Sequence, residues 1–220
     1  MSAARRPYGR VFTVVVFIGL TGVARAGEPA DRGISLSAWA GGALDRGVRA
    51  PDGQPVHPEA LVAGLTGVGN IERVAIGGAV DVRPALLGNG RLSVSALLGY
   101  QHQTGRTRVQ LLGEAGTGRF SGLGGDAVTH QQAPQPWLPF VGVRLGSAST
   151  VPAHGFVELG TWLFARYDIQ HTTVTSVGTL SGEEARADYK VGGFMAGMAL
   201  QIGFRLESPH PWNQGVEEDL

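Results

Sequence analysis

Residues 192–206 read GGFMAGMALQIGFRL, and the two parities of this stretch differ in kind. Phe194, Ala196, Met198, Leu200, Ile202, Phe204 and Leu206 form an unbroken apolar row. Gly193, Met195, Gly197, Ala199, Gln201, Gly203 and Arg205 are mostly small or polar. A repeat of two marks a β-strand, because successive side chains leave opposite faces of the backbone. A membrane helix is the competing reading, since the Gly193/Gly197 spacing lets helices approach closely. The run is too short for the roughly 20 apolar residues a spanning helix needs. A helical repeat would also scatter Gln201 and Arg205 without a polar stripe. The period predicts a strand.

Six further stretches split the same way. Ile34, Leu36, Ala38 and Ala40 alternate with Ser35, Ser37, Trp39 and Gly41. Val74, Ile76, Val80 and Val82 oppose Ala75, Ala79, Asp81 and Arg83, while Leu92, Val94, Leu98 and Tyr100 oppose Arg91, Ser93, Ser95 and Leu97. Val109 and Leu111 oppose Arg108, Gln110 and Glu114; Trp137, Val141, Val143 and Leu145 oppose Phe140 and Arg144. Val157, Leu159, Leu163, Tyr167 and Ile169 oppose Glu158, Trp162, Arg166 and Asp168. Every charge in these strands falls on the second face: Arg73, Asp81, Arg83, Arg91, Arg108, Glu114, Arg144, Glu158, Arg166, Asp168 and Arg205. A slip of one residue in any strand would move its whole set to the other side.

Alternation alone also describes a soluble β-sandwich. Composition separates the two. The chain holds 35 glycines, and they lie inside the apolar segments rather than in linkers. The minority face mixes glycine and alanine with charges of both signs, as suits a narrow barrel filled by its own side chains. On the apolar face Tyr100, Trp137, Tyr167 and Phe204 sit near strand ends, in the manner of membrane-interface girdles. Phe194 and Phe204 share that face; at about 3.3 Å per residue and a tilt near 40°, their separation spans about 25 Å of bilayer. A charge-free face is what lipid demands, since Arg or Lys there costs about 2–4 kcal/mol at mid-depth.

Seven strands are clear. An eighth is expected at residues 60–67 (ALVAGLTG), with a short loop helix after Pro58 as the alternative. The connections then alternate: short at 68–70, 103–106 and 147–155, and mostly long at 45–59, 118–136 and 170–187, with 86–90 a short exception. The segments GRLSVSALLGY, LPFVGVRLG, GFVELGTWLFARYDI and YKVGGFMAGMALQIGFRL give the chain its character. In these it resembles the small eight-stranded bacterial outer-membrane barrels of the OmpA, OmpX and lipid A deacylase architecture. The resemblance is one of layout over residues 33–206, with no diagnostic motif. It implies an all-β, antiparallel up-and-down eight-stranded transmembrane barrel with periplasmic short turns. Outer-membrane lipid, lipopolysaccharide and the barrel-assembly machinery are the partners it implies. Such proteins often end on an aromatic residue; here Phe204 takes that place and ESPHPWNQGVEEDL follows. That tail is too short for a wall-binding domain.

The N-terminus fits export. Arg5, Arg6 and Arg10 precede the short apolar run VFTVVVFIGLTGV, and Ala24-Arg25-Ala26 is a small-x-small cleavage site. The expected organisation is a signal peptide at 1–26, a barrel at 27–206 and a periplasmic tail at 207–220. Four of the 18 basic residues leave with the leader while all 18 acids stay, so the exported chain is mildly acidic. No basic run survives to serve a nucleic acid. Cysteine is absent, which removes disulfides, thiol catalysis and cysteine-ligated metal. The six histidines lack metal-ligand spacing, and no cofactor is expected.

Two kinds of chemistry compete for the rest. The interior charges read as a plug, because buried charges must be paired and eight strands enclose little more than their own side chains. The sharpest catalytic candidate is His171 with Thr173, which share the lipid-facing parity of Ile169. Lipid A deacylases of similar architecture carry a His-x-Ser pair with a distant acid at such a place, a part open here to Glu183 or Glu184. Thr stands where Ser is needed and the wider motif is missing. The sequence therefore predicts a non-catalytic outer-membrane barrel acting in structure or in surface interaction through its outer loops. A lipid A-modifying enzyme and a soluble periplasmic barrel holding a small apolar ligand are the alternatives.

Overall fold

A computed structural model describes residues 32–54, 59–84, 90–121, 130–131, 137–152, 156–180 and 183–207. The expected leader and nearly all of the expected tail lie outside them. The described residues form twelve strands: β1 (Arg32–Asp45), β2 (Val48–Arg49), β3 (Glu59–Ile71), β4 (Val74–Arg83), β5 (Gly90–Thr104), β6 (Thr107–Ser121), β7 (His130–Gln131), β8 (Trp137–Thr150), β9 (Val157–Asp168), β10 (Thr172–Leu180), β11 (Glu183–Val191) and β12 (Phe194–Glu207).

Eight of them close into one antiparallel barrel in the order β1-β12-β9-β8-β6-β5-β4-β3. Each strand pairs with its sequence neighbour in the barrel, and β12 returns to β1 with Gly33 opposite Glu207 and Asp45 opposite Met195. Closure leaves the barrel no edge strand, so along its shared middle each strand is paired on both sides inside the wall, as a structure in lipid requires. Both ends of the barrel chain lie at the end with short turns.

The parity reading holds in each of the seven barrel strands for which the sequence gives it. Leu36, Leu65, Ile76, Leu98, Leu111, Val143, Leu159 and Ile202 point outward and are exposed, with Leu200 71% exposed. Their neighbours Trp39, Leu97, Leu112, Trp162, Phe164 and Met195 are buried in the lumen. The interior glycines let bulky partners in. The Trp162 indole lies over Gly146, where an added Cβ would come within 2.4 Å of the ring.

Residues 60–67 belong to β3, so the helix alternative is excluded. That strand runs on to Ile71, past the turn expected at 68–70. The hairpin is instead Glu72–Arg73, with Glu72 at φ +52°. This corrects the placement of Arg73. It caps the turn in solvent and does not enter the lumen, because the longer strand leaves it at the bend and out of the ladder. The second correction concerns 170–187, expected as a loop. Its residues pair as the β10–β11 hairpin, which joins β2 and β7 in a four-stranded sheet at the long-connection end. Gly192 (φ +111°) and Gly193 (φ +155°) form the joint between that sheet and β12. Such angles suit glycine, which has no Cβ to clash.

Candidate functional site

The lumen carries the polar chemistry of the molecule, and it is arranged in three layers. The ion pairs of the central one join four strands. Arg166 of β9 donates to Asp81 of β4 through Nη1 and Nη2, at 2.8 and 2.6 Å. It also donates to Glu114 of β6 through Nε and Nη2, at 2.9 and 2.8 Å. Arg144 of β8 reaches Glu114 through Nε (3.1 Å) and Nη2 (2.7 Å) and Asp81 more distantly at 3.5 Å. Ser95 Oγ adds a bond to Glu114 at 2.6 Å. Aromatic faces line the guanidinium groups: Trp39 stands 5.2 Å from Arg144, and Phe140 and Phe164 stand 4.9 and 5.6 Å from Arg166. The Trp39 indole N–H is itself bound to Thr66 Oγ1 at 3.0 Å.

Toward the short turns, Arg108 pairs with Glu158 and donates to Ser35 Oγ at 3.0 Å. Arg205 lies 3.9 Å from the other oxygen of Glu158. Gln110 donates to Gln101 at 2.8 Å beside them. Toward the long connections, Arg91 forms a two-pronged bond to Asp168 (3.1 and 2.5 Å) between the rings of Phe120 and Phe140. Arg83 pairs there with Asp45. The same two acids hold the backbone at this rim: Asp45 accepts from the Gly47 N–H just after β1 at 2.6 Å, and Asp168 from the Gly193 N–H just before β12 at 3.2 Å.

Ten of the eleven charges assigned to the interior by parity are buried there, Arg73 being the exception. Asp45 completes the set, and the sequence reading ended its strand too early to include it. The signal was present, since Asp45 has the same parity as Trp39 and Gly41. Six arginines thus meet five acids. The isolated burial of any one of these charges would cost several kcal/mol, so the pairing is a condition of the fold. Above the outermost layer, Val48 and Val191 of the small sheet pack on Phe120 and Leu138, with Tyr189 alongside. This apolar cap lies at the long-connection mouth of the lumen.

On the outside, the aromatics form two rings. Trp137, Tyr167 and Phe194 lie at the long-connection end; Tyr100, Phe204 and Phe156 lie at the other. Phe156 stacks on Phe204 with centroids 6.1 Å apart. Parity does not find Phe156, because it stands in a turn before its strand begins. With apolar side chains between the rings and, among the described side chains, charges on the outward rows only at the long-connection rim (Glu59, Arg119), this is the exterior of a barrel immersed in lipid.

The catalytic candidates do not assemble. Both nitrogens of His171 are engaged, Nδ1 with the Gly192 carbonyl at 2.9 Å and Nε2 with the Tyr167 hydroxyl at 3.2 Å. Thr173 is exposed and faces Lys190 across the hairpin, whereas Glu183 and Glu184 face Leu180 and Thr179. His171 is eight or nine positions along the hairpin from those two pairs, which at about 3.3 Å per residue is more than about 25 Å. That is too far for an acid to orient the imidazole. Among the described residues no group of His, Asp and Glu gathers in a metal-holding arrangement.

No family model and no curated protein matches the sequence. Among solved structures the chain is similar to Neisserial surface protein A, at 16% identity and TM-score 0.45, covering 80% of this chain and 97% of that one. It is also similar to OprG from Pseudomonas aeruginosa (14%, TM-score 0.45, 83% and 99% covered). A third is the outer-membrane protein AlkL, determined in DMPC bilayers (13%, TM-score 0.39, 90% and 99% covered). The eight-stranded barrel rests on this chain's own closed strand pairing.

Proposed function

We propose that this chain is a non-conducting, non-catalytic protein of the bacterial outer membrane, whose working surface is the small sheet at its long-connection end. The sealed lumen carries the reading. Arg144, Arg166, Trp39 and Trp162 fill the centre, and the Val48–Val191 cap lies at one mouth. The lipid-facing belt places the barrel in a bilayer. Export followed by strand-wise spanning is the route to the outer membrane, with the short turns and both barrel ends facing the periplasm and the small sheet outside. The barrel-assembly machinery is the partner such a route requires. The spread of His171, Thr173 and the two glutamates along the hairpin counts against the lipid A-modifying alternative. The exposed leucines and isoleucines between two aromatic rings do the same for a soluble periplasmic barrel.

The test combines two measurements on the exported chain. On a denaturing gel, unboiled and boiled samples of outer-membrane fractions should migrate differently, as a barrel resistant to detergent does. In planar bilayers the folded protein should show no steady ion conductance. A steady open-channel current would overturn the sealed-lumen reading. Recovery in the soluble periplasm would overturn the membrane reading.

A further inference from the structure

The outer rim of the β1–β12–β9 sector concentrates positive charge in a way the fold itself does not need. In the small sheet, Arg49 of β2 sits directly opposite Lys190 of β11. Val48 and Val191, their strand neighbours, turn into the cap, so Arg49 and Lys190 both turn outward and are exposed. Like charges directly opposite on one face of an antiparallel pair repel. Among the described residues, neither is engaged by an ion pair, a hydrogen bond or a ring contact. Below them Arg46 is exposed beside Phe194, whose carbonyl accepts the Arg46 N–H at 2.9 Å. Phe194 in turn faces Tyr167 across the ladder. The acids around them are Glu59, opposite Leu44, Asp188, whose carboxylate accepts from Thr175 Oγ1 at 2.7 Å, and Asp52 in the turn after β2, whose carboxylate accepts from the Gln54 N–H at 3.0 Å. Among the described residues none of these pairs with the three cations.

From these positions we infer that Arg49 and Lys190, with Arg46 beneath them, bind the phosphate of an anionic bilayer lipid whose chains lie along Phe194 and Tyr167. The site rests on the barrel being embedded in a bilayer, as proposed above. A phosphate between Arg49 and Lys190 turns the repelling pair into a bridged one, and the guanidinium and ammonium groups supply forked and single donors to its oxygens. The vertical order is that of a lipid. Apolar wall and aromatic ring come first, Arg46 stands beside Phe194, and Arg49 and Lys190 follow beyond the Gly192–Gly193 joint. A free anion would have no use for the ring below. His171 acts as a positioning residue, tying the Tyr167 hydroxyl to the Gly192 carbonyl at the joint of the sheet.

The exported chain is reconstituted in phosphatidylcholine bilayer discs doped with phosphatidylglycerol, and the retained lipid is counted by native mass spectrometry. A parallel titration uses inorganic phosphate alone. The wild-type protein should retain phosphatidylglycerol in preference to phosphatidylcholine. Lys190→Gln should weaken that preference about five-fold, and the double change with Arg49→Gln about 30-fold. In phosphatidylcholine alone, Lys190→Gln should raise the unfolding midpoint by relieving repulsion; with phosphatidylglycerol present it should lower it. A merely structural role gives no such reversal. Undiminished phosphatidylglycerol retention by the double variant would overturn the site. Equal, variant-sensitive binding of inorganic phosphate alone would overturn the lipid as its occupant. Failure of the wild-type chain to enter the bilayer would overturn both this site and the membrane reading, whereas insertion without lipid preference would overturn the site alone.

Discussion

Glu114 shows what a single residue carries in this lumen. Its two oxygens accept from Arg144, Arg166 and Ser95, and its side chain is fully enclosed. Replacing it by Gln leaves two buried guanidinium groups with only Asp81 to answer them. Loss of one partner from a buried ionic set costs about 3–5 kcal/mol, because the uncompensated charge stays out of water. Glu114→Gln should therefore lower the urea midpoint of the folded barrel in detergent by a corresponding amount. An unchanged midpoint would mean that water reaches the centre of the lumen and takes over the missing bonds. The residue type and inward direction of Glu114 were legible from parity. Its partners were not, because Arg144 and Arg166 lie 30 and 52 positions along the chain and meet it only when the wall curves round.

At the scale of the element, one face of each strand answers to lipid and the other to the plug. β9 puts Leu163 outward at mid-height, opposite Leu145 of β8 and Met198 of β12. β12 puts Leu206 outward near the short-turn rim, opposite Ile34. Leu163→Arg should destabilise the barrel in bilayers by about 2–4 kcal/mol and Leu206→Arg by about 0–1 kcal/mol, as depth dictates. Equal costs would show that the exterior does not sense a bilayer. Strand identity and facing came straight from the period of two. Strand length did not. β3 extends to Ile71 and β8 to Thr150, because the neighbours β4 and β9 offer ladder partners that far, and this is what expels Arg73 to a turn. The β10–β11 pairing was missed for a related reason. TTVTSVGTL and EEARADYKV carry mixed polar and apolar residues with no lipid-facing row, so the barrel's own signature does not apply to them.

For the whole molecule, the barrel and the small sheet are separable in their hydrogen bonding. β9 pairs with β12 directly, from Tyr167–Phe194 to Val157–Phe204, without using the hairpin between them. Excision of residues 172–191 should thus leave a heat-modifiable barrel, less stable through loss of the Val191 contacts with the cap. It should remain closed to ions, because the Arg144 and Arg166 layer lies below the cap. Loss of heat-modifiability would mean that the hairpin is needed to complete the wall; a conducting barrel would mean that the cap alone seals it. The sequence by itself determined that the chain is a set of alternating strands with a lipid-compatible face and a charged one, since a strand's two faces are fixed by a covalent period. Only the tertiary structure decided which arginine meets which carboxylate, where each hairpin turns, and that the loops build a sheet with Arg49 set against Lys190. Those are contacts between distant segments, and their register is set when the barrel closes.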